Sequence, residues 1–157
     1  MNIEKGYWSI VEPIWDAMNI YGGPEVFLAT FRQVQRDAGL LYAAHFCQSE
    51  LCNGGFNQFF FNSTGVLAPE ALEAFEAIGQ IQIANILAQA MASFGSTYLR
   101  DRQQRRAALD RLPADCFEEL DERFFALIDN EAGGFDTAAD GYAARVVDAA
   151  ARKRLDH

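Results

Sequence analysis

Apolar residues recur at intervals of three and four along most of the chain. In the segment that begins at Pro24 they are Val26, Phe27, Phe31 and Val34, a spacing that places them on one face of an α-helix. Nowhere do apolar and polar residues alternate long enough to predict a β-strand. The pattern therefore predicts an all-α protein, a single-domain helical bundle of about six to eight helices that covers residues 1–157.

Glycine divides this pattern into segments. Gly39 is expected to break or bend the second helix, and Asn53 with Gly54 to end the third, since this pair readily adopts left-handed backbone angles. The helix over 80–94 is apolar around most of its circumference, which predicts a position in the middle of the core. The helices expected on this basis cover residues 9–21, 24–38, 40–52, 69–78, 80–94, 115–131 and 137–155.

The least generic segment is residues 50–65. Asn53, Gly54 and Gly55 form a helix stop, and four phenylalanines follow directly, too many for a surface loop. We expect these four to be largely buried, and they are Phe56, Phe59, Phe60 and Phe61.

Two amides, Gln58 and Asn62, lie four residues apart and share one face of the helix predicted among these aromatic residues. Buried amides need hydrogen-bond partners, and the free backbone groups near Gly54 and Gly55 could supply them. We interpret the segment as a buried aromatic helix held by a polar network. The alternative is a ligand pocket that uses Asn53, Gln58 and Asn62, although no acid, base or nucleophile accompanies them.

The same segment resembles the signature of a bacterial family of domains of unknown function whose described member is a DNA-mimic protein. The matching residues are Glu50, Asn53, Gly54, Gly55, Phe56, Gln58, Phe59, Phe60, Asn62, Ser63 and Gly65, followed by Ala71, Leu72, Ile78 and Gly79. The likeness is best over residues 40–95 and extends over about 24–155 through helical character.

This resemblance implies an all-helical, acidic bacterial protein that is often a homodimer. In the described member, surface carboxylates imitate DNA phosphates and occupy the DNA site of a transcription factor. The motif, with Glu50, Asn53 and Gln58 among its residues, is interpreted as a signature of the fold. The motif therefore does not itself indicate mimicry, which would depend on the charges of this chain.

The chain is strongly acidic, with 13 Lys and Arg against 22 Asp and Glu and a net charge of -9. Direct binding to nucleic acid is disfavoured, because affinity for a polyphosphate comes mainly from cationic side chains. An anionic membrane surface is disfavoured for the same reason. A basic protein partner fits this charge better.

The carboxylates concentrate between residues 115 and 140. Seventeen helical residues over 115–131 would span roughly 25 Å, a length over which duplex DNA carries roughly 15 phosphate charges. The segment itself supplies about half that number. The expected partner-binding residues are Asp115, Glu118, Glu119, Asp121, Glu122, Asp129 and Glu131, extended by Asp136 and Asp140.

Two observations argue against the hypothesis of DNA mimicry. A charged outer face is also what a solvated amphipathic helix displays. In addition, the basic stretch 100–111, with five Arg and two Asp, could neutralise the acidic helix beside it. If the two faces pack together, the protein is a salt-bridged bundle. If they diverge, an anionic surface remains for a basic partner.

The residues that could act as catalytic groups or metal ligands are not spaced along the sequence as an active site or metal site requires. His45 and Glu50 are five apart, a spacing that does not stack them on one helical face, and no second ligand or nucleophile accompanies His45. We therefore expect no metal and no cofactor. The cysteines, read as free thiols in a reducing compartment, are Cys47, Cys52 and Cys116. With no signal-type start and no long apolar run, the sequence predicts a cytoplasmic protein.

The sequence thus favours a non-enzymatic acidic binding protein, a DNA mimic that occupies the DNA-binding site of a transcription factor or other basic DNA-binding protein. Two alternatives stay open. A structural or accessory interaction domain without mimicry would bind its partner through apolar contacts that ignore salt. An enzyme of unfamiliar type would have a pocket near residues 53–62 that holds Gln58, Asn62 or His45 beside a group with a shifted pKa.

Overall fold

The computed structural model describes residues 6–156. Within this range it contains eight α-helices and no β-strand, which confirms the predicted all-α fold. The helices are α1 (Trp8–Val11), α2 (Pro24–Gln33), α3 (Arg36–Phe61), α4 (Ala68–Ala77), α5 (Ile81–Met91), α6 (Arg102–Arg111), α7 (Glu118–Leu127) and α8 (Phe135–Leu155). Short 3-10 turns and loops join them.

The central helix is α3, which contacts α1, α2, α4, α6 and α7. Leu41, Cys47 and Leu51 are fully buried along it. The prediction that the helix at 80–94 occupies the middle was wrong. Helix α5 packs with α4 and α7 on one side, while Ile81 on the other side is 50% exposed.

The predicted first helix is divided in two. Helix α1 ends at Val11, and a 3-10 turn continues over Glu12–Ala17 before Met18 turns to an extended conformation. Pro13 lies at the start of this turn and has no backbone N–H to donate to the preceding turn, so the α-helical ladder is interrupted there.

The break between α2 and α3 also differs from the prediction. It falls at Val34, whose backbone is extended, and Gln35 then caps α3 by accepting the Ala38 N–H at 2.8 Å. Gly39 lies inside α3, where a Cβ would come within 2.8 Å of the Phe31 ring. Its small size permits close packing of α2 on α3.

Helix α7 is shorter than the predicted 115–131. Its ten residues span about 15 Å. The chain then turns through Ala132, whose φ is 55°, and Gly133 and Gly134, whose φ values are 86° and 95°. This turn starts α8 at Phe135. None of the helices in residues 6–156 is long and apolar enough to cross a membrane.

Candidate functional site

Helix α3 changes direction at Gly55, which has a φ of 74° and a ψ of -172°. The carboxylate of Asp121 on α7 accepts the Phe56 N–H at 2.9 Å and so caps the short helical segment 56–61. A Cβ at residue 55 would lie 2.8 Å from that carboxylate. Glycine is needed here both for the positive φ and for the room that Asp121 occupies. The helix stop expected at Asn53 and Gly54 thus falls at Gly55.

The amides of the motif bind a carboxylate. Glu50 Oε2 accepts a hydrogen bond from Gln58 at 2.7 Å, and Oε1 accepts from Asn62 at 3.1 Å and from Thr64 at 2.6 Å. Burial acts to raise the pKa of Glu50, but the three donated hydrogen bonds outweigh it and the net pKa is lowered. An ionised Glu50, and not the backbone near the glycines, is therefore the partner of both amides.

Three of the four phenylalanines are fully buried, as expected, but Phe61 is 45% exposed. Two arginines of α6 cover its ring. The guanidinium carbon of Arg106 lies 4.0 Å from the ring centroid, and that of Arg102 lies 5.7 Å from it. Because the exposed ring is in contact with two cations, part of its surface is shielded from water.

Arg105 is a fully buried arginine, and all its hydrogen bonds within residues 6–156 go to backbone carbonyls. Its Nε donates to Phe60 at 2.6 Å and its Nη2 to Asn62 at 2.7 Å, so it caps the end of segment 56–61. Its Nη1 donates to the carbonyl of Arg100 at 2.8 Å. Burial lowers the pKa of the guanidinium. Gly65 makes room for it, since a Cβ there would approach Arg105 Nε to 2.6 Å.

Sequence reasoning placed Arg105 only within a basic stretch. Arginine in a polar helix normally lies at the surface, and no local signal marks this one as buried. The nearest indication is Gly65 in the motif, a residue without a side chain where a bulky group must pass close to the backbone.

The basic stretch does not neutralise the acidic helix beside it. Arg100 pairs with Glu70 at 2.8 Å, and Arg102 donates to the Phe61 carbonyl at 3.0 Å. The ion pairs within residues 6–156 are this one and Arg36 with Glu73, and neither includes a carboxylate of α7. Within these residues no ion pair therefore joins the basic stretch to the acidic helix.

Three of the nine predicted partner-binding carboxylates accept backbone N–H groups inside the molecule. Asp121 binds Phe56, as described. Glu131 accepts from residues 82 and 83 at 2.7 and 2.9 Å and caps α5, and Asp140 accepts from Tyr7 at 2.8 Å. The other six, which we call the exposed carboxylates, are Asp115, Glu118, Glu119, Glu122, Asp129 and Asp136.

A cleft of about 940 Å³ opens beside the motif, at the place where the alternative hypotheses put a pocket. Glu50, Asn53 and Asn62 line it, but Gln58 and His45 do not. The lining residues, which define what we call the motif cleft, are Ile20, Tyr21, Phe46, Gln48, Ser49, Glu50, Cys52, Asn53, Asn62, Ser63, Thr64 and Arg102.

His45 belongs instead to an aromatic cluster. Its Nδ1 lies 2.8 Å from the Tyr7 hydroxyl, and its ring centroid lies 5.2 Å from that of Trp8 and 5.9 Å from that of Trp15. Burial lowers the pKa of His45, against the opposing charge of Asp136. Among residues 6–156, no group of three His, Cys, Asp or Glu side chains is placed to hold a metal ion.

Together these features define a small, acidic, all-helical domain built around a polar motif at the bend of its central helix. The chain belongs to the family of DMP19-like proteins, whose model matches residues 32–146. The family resemblance expected from the motif is thereby confirmed. This family is not known as enzymatic. No curated protein and no solved structure matches the chain significantly.

Proposed function

We propose that the protein binds a basic DNA-binding protein, such as a transcription factor, through its exposed carboxylates and occupies the surface that would otherwise grip DNA. Family membership and the net charge of -9 support this proposal. The observation that carries it is the separation of charges. The carboxylates of α7 form no ion pair within residues 6–156, while Arg100 and Arg105 of the neighbouring basic stretch are engaged elsewhere.

The spacing along α7 suits arginine and lysine side chains that normally contact phosphates. Glu118 and Glu122 are four residues apart, so they lie one turn apart on the same face, with Glu119 beside them. One strand of DNA carries roughly four phosphates over the ~15 Å of this helix. The three carboxylates approach the charge density of one strand, and a second copy of the chain would add to it.

A direct test compares two triple variants. Glu118→Lys, Glu119→Lys and Glu122→Lys together should abolish retention of the basic partner in a pull-down from cell lysate. Glu12→Lys, Asp16→Lys and Glu25→Lys change the net charge equally but lie in the N-terminal part, and this matched control should still bind. The wild-type complex should dissociate as salt is raised, because the attraction is screened. Circular dichroism verifies that both variants fold.

A DNA competition measurement completes the test. The captured partner should lose its DNA operator when the wild-type protein is added, and keep it when the Glu118, Glu119 and Glu122 triple variant is added. Equal affinity of that variant and the wild type for the partner would contradict the proposal.

The accessory interaction domain remains the second candidate because of Phe125, which is 48% exposed on α7. Aromatic side chains are enriched at protein–protein interfaces, so this exposed ring is a candidate for an apolar contact with a partner. If binding survives high salt and the Glu118, Glu119 and Glu122 reversal, but is lost in Phe125→Ala, the protein is an interaction domain without mimicry.

A further inference from the structure

We propose that the motif cleft binds a nucleoside monophosphate, with Arg102 on the phosphate and Tyr21 against the base. The cleft's volume of about 940 Å³ falls within the range of about 300–1,000 Å³ usual for small-molecule sites. This binding site is separate from the exposed carboxylates of α7, and its test does not depend on the proposed function.

Arg102 is anchored by a hydrogen bond but has no counter-ion among residues 6–156. Its Nε donates to the Phe61 carbonyl, and its guanidinium lies over the Phe61 ring. The two terminal amino groups have no hydrogen-bond partner within residues 6–156. Within residues 6–156, Arg36 and Arg100 are paired with carboxylates, whereas Arg102, like the remaining arginines, is not. A guanidinium that is anchored through Nε and has both terminal amino groups free can bind two oxygens of a phosphate bidentately.

The carboxylate of the same cleft does not compete for Arg102. Both oxygens of Glu50 are engaged by Gln58, Asn62 and Thr64, and no ion pair joins Glu50 to Arg102. The terminal amino groups of Arg102 therefore stay available to an anionic group of a ligand.

The remaining walls match the other parts of a nucleotide. Tyr21 is 80% exposed and offers a ring face on which a base can stack, as aromatic residues do in single-strand nucleic-acid sites. Asn53 has a side-chain amide of the type that pairs with base edges. Ser49 and Ser63 add hydroxyl groups that can bind ribose. Each chemical part of the ligand thus has a counterpart in one cleft.

The test titrates the protein with AMP, followed by calorimetry and by protection of Cys52 from a thiol reagent. Cys52 lines the cleft and is exposed, while Cys116 lies outside its lining and is the internal control. AMP should bind at least about tenfold more tightly than adenosine, which lacks the phosphate, or inorganic phosphate, which lacks the base and ribose. It should protect Cys52 and leave Cys116 reactive.

Two variants and a matched control locate the contacts. Arg102→Gln should weaken AMP binding roughly ten- to hundredfold, since a hydrogen-bonded ion pair is lost. Tyr21→Ala should weaken it roughly five- to hundredfold through lost stacking. Arg106→Gln removes a guanidinium from the same Phe61 ring but outside the cleft lining, and should leave affinity unchanged.

Three results would overturn the inference. One is no binding of AMP at ~10 mM, a concentration that detects very weak ligands. Another is inorganic phosphate binding as tightly as AMP, which would indicate an anion site only. The third is an equal loss of affinity in Arg102→Gln and Arg106→Gln, which would indicate non-specific attraction to a basic surface.

Discussion

The basic helix α6 and the acidic helix α7 follow each other in the chain but use their charges differently. Arg105 of α6 is buried against carbonyls at the end of segment 56–61, whereas α7 sends Asp121 to the start of that segment and leaves Glu118 and Glu122 in solvent. A short helix has free N–H groups at one end and free carbonyls at the other. The carboxylate of Asp121 therefore binds at the N-terminal end of segment 56–61 and the guanidinium of Arg105 at its C-terminal end.

The largest effect that tests this comparison should come from Arg105→Met. The substitution keeps much of the side-chain length but removes the donors that Arg105 supplies to the carbonyls of Phe60, Arg100 and Asn62. Unsatisfied buried polar groups cost about 1–3 kcal/mol each, so the free energy of unfolding should fall by roughly 3 kcal/mol or more. Urea denaturation followed by circular dichroism measures the loss.

The matched control is Arg106→Met on the same helix. Arg106 is exposed and covers Phe61, an interaction worth about 1 kcal/mol or less at a surface. Equal destabilisation by the two substitutions would mean that the hydrogen bonds from Arg105 to carbonyls at the end of segment 56–61 do not stabilise the fold.

Glu50 is a second charged residue that binds side chains of segment 56–61 and its end, Gln58 and Asn62. Its contribution to stability can be tested by the pH dependence of unfolding. The folded-state pKa of Glu50 is lowered, so its contribution to stability is present above the unfolded value of about 4.3 and is lost as pH falls through the folded pKa. Glu50→Gln should cost roughly 2 kcal/mol at pH 7, because donors from Gln58, Asn62 and Thr64 lose a carboxylate.

The difference between wild type and Glu50→Gln should shrink when the pH is lowered below about 4. Thermal denaturation of both proteins from pH 7 to pH 3 gives this difference directly. A gap that stays constant across the range would show that the Glu50 charge is not the source of the stabilisation.

Asp121 marks the other end of segment 56–61 and should have a smaller effect. Asp121→Ala removes the acceptor of the Phe56 N–H and should cost about 1 kcal/mol, the usual value of a helix cap. Asp121→Asn keeps an acceptor at the same place and should recover most of this loss. If Asn and Ala destabilise equally in urea denaturation, Asp121 is not acting as a cap.

The helices and the motif could be predicted from the sequence, but the partners of the charged side chains could not. Spacing of three and four predicts helices because it reports one buried face, and glycine pairs marked the bend at Gly55 to within two residues. The position of α3 at the centre could not be read in this way, because α3 and α5 are both rich in apolar residues. Which of them is central depends on how the helices stack.

The charged residues illustrate the same limit. Asp121 and Glu122 are adjacent acidic residues with no local difference, yet one caps a helix and the other faces solvent. Arg105 meets carbonyls more than 40 residues away in the chain. Such partners are fixed by tertiary packing, so neither the inward carboxylates nor the buried arginine could be predicted from spacing.

The smallest stability effect, and the sharpest contrast with Asp121, is expected from Glu122→Gln. Glu122 is exposed and forms no ion pair within residues 6–156, so the free energy of unfolding should change by no more than about 0.5 kcal/mol. Binding of the proposed basic partner should nevertheless weaken, and weaken most at low salt, where a surface carboxylate acts over the longest range. Urea denaturation and a binding titration on the same sample separate the two effects.

If Glu122→Gln destabilises the fold as much as Asp121→Ala, then Glu122 contributes to the stability of the fold. The distinction between carboxylates that cap helices and carboxylates that face solvent would then not hold.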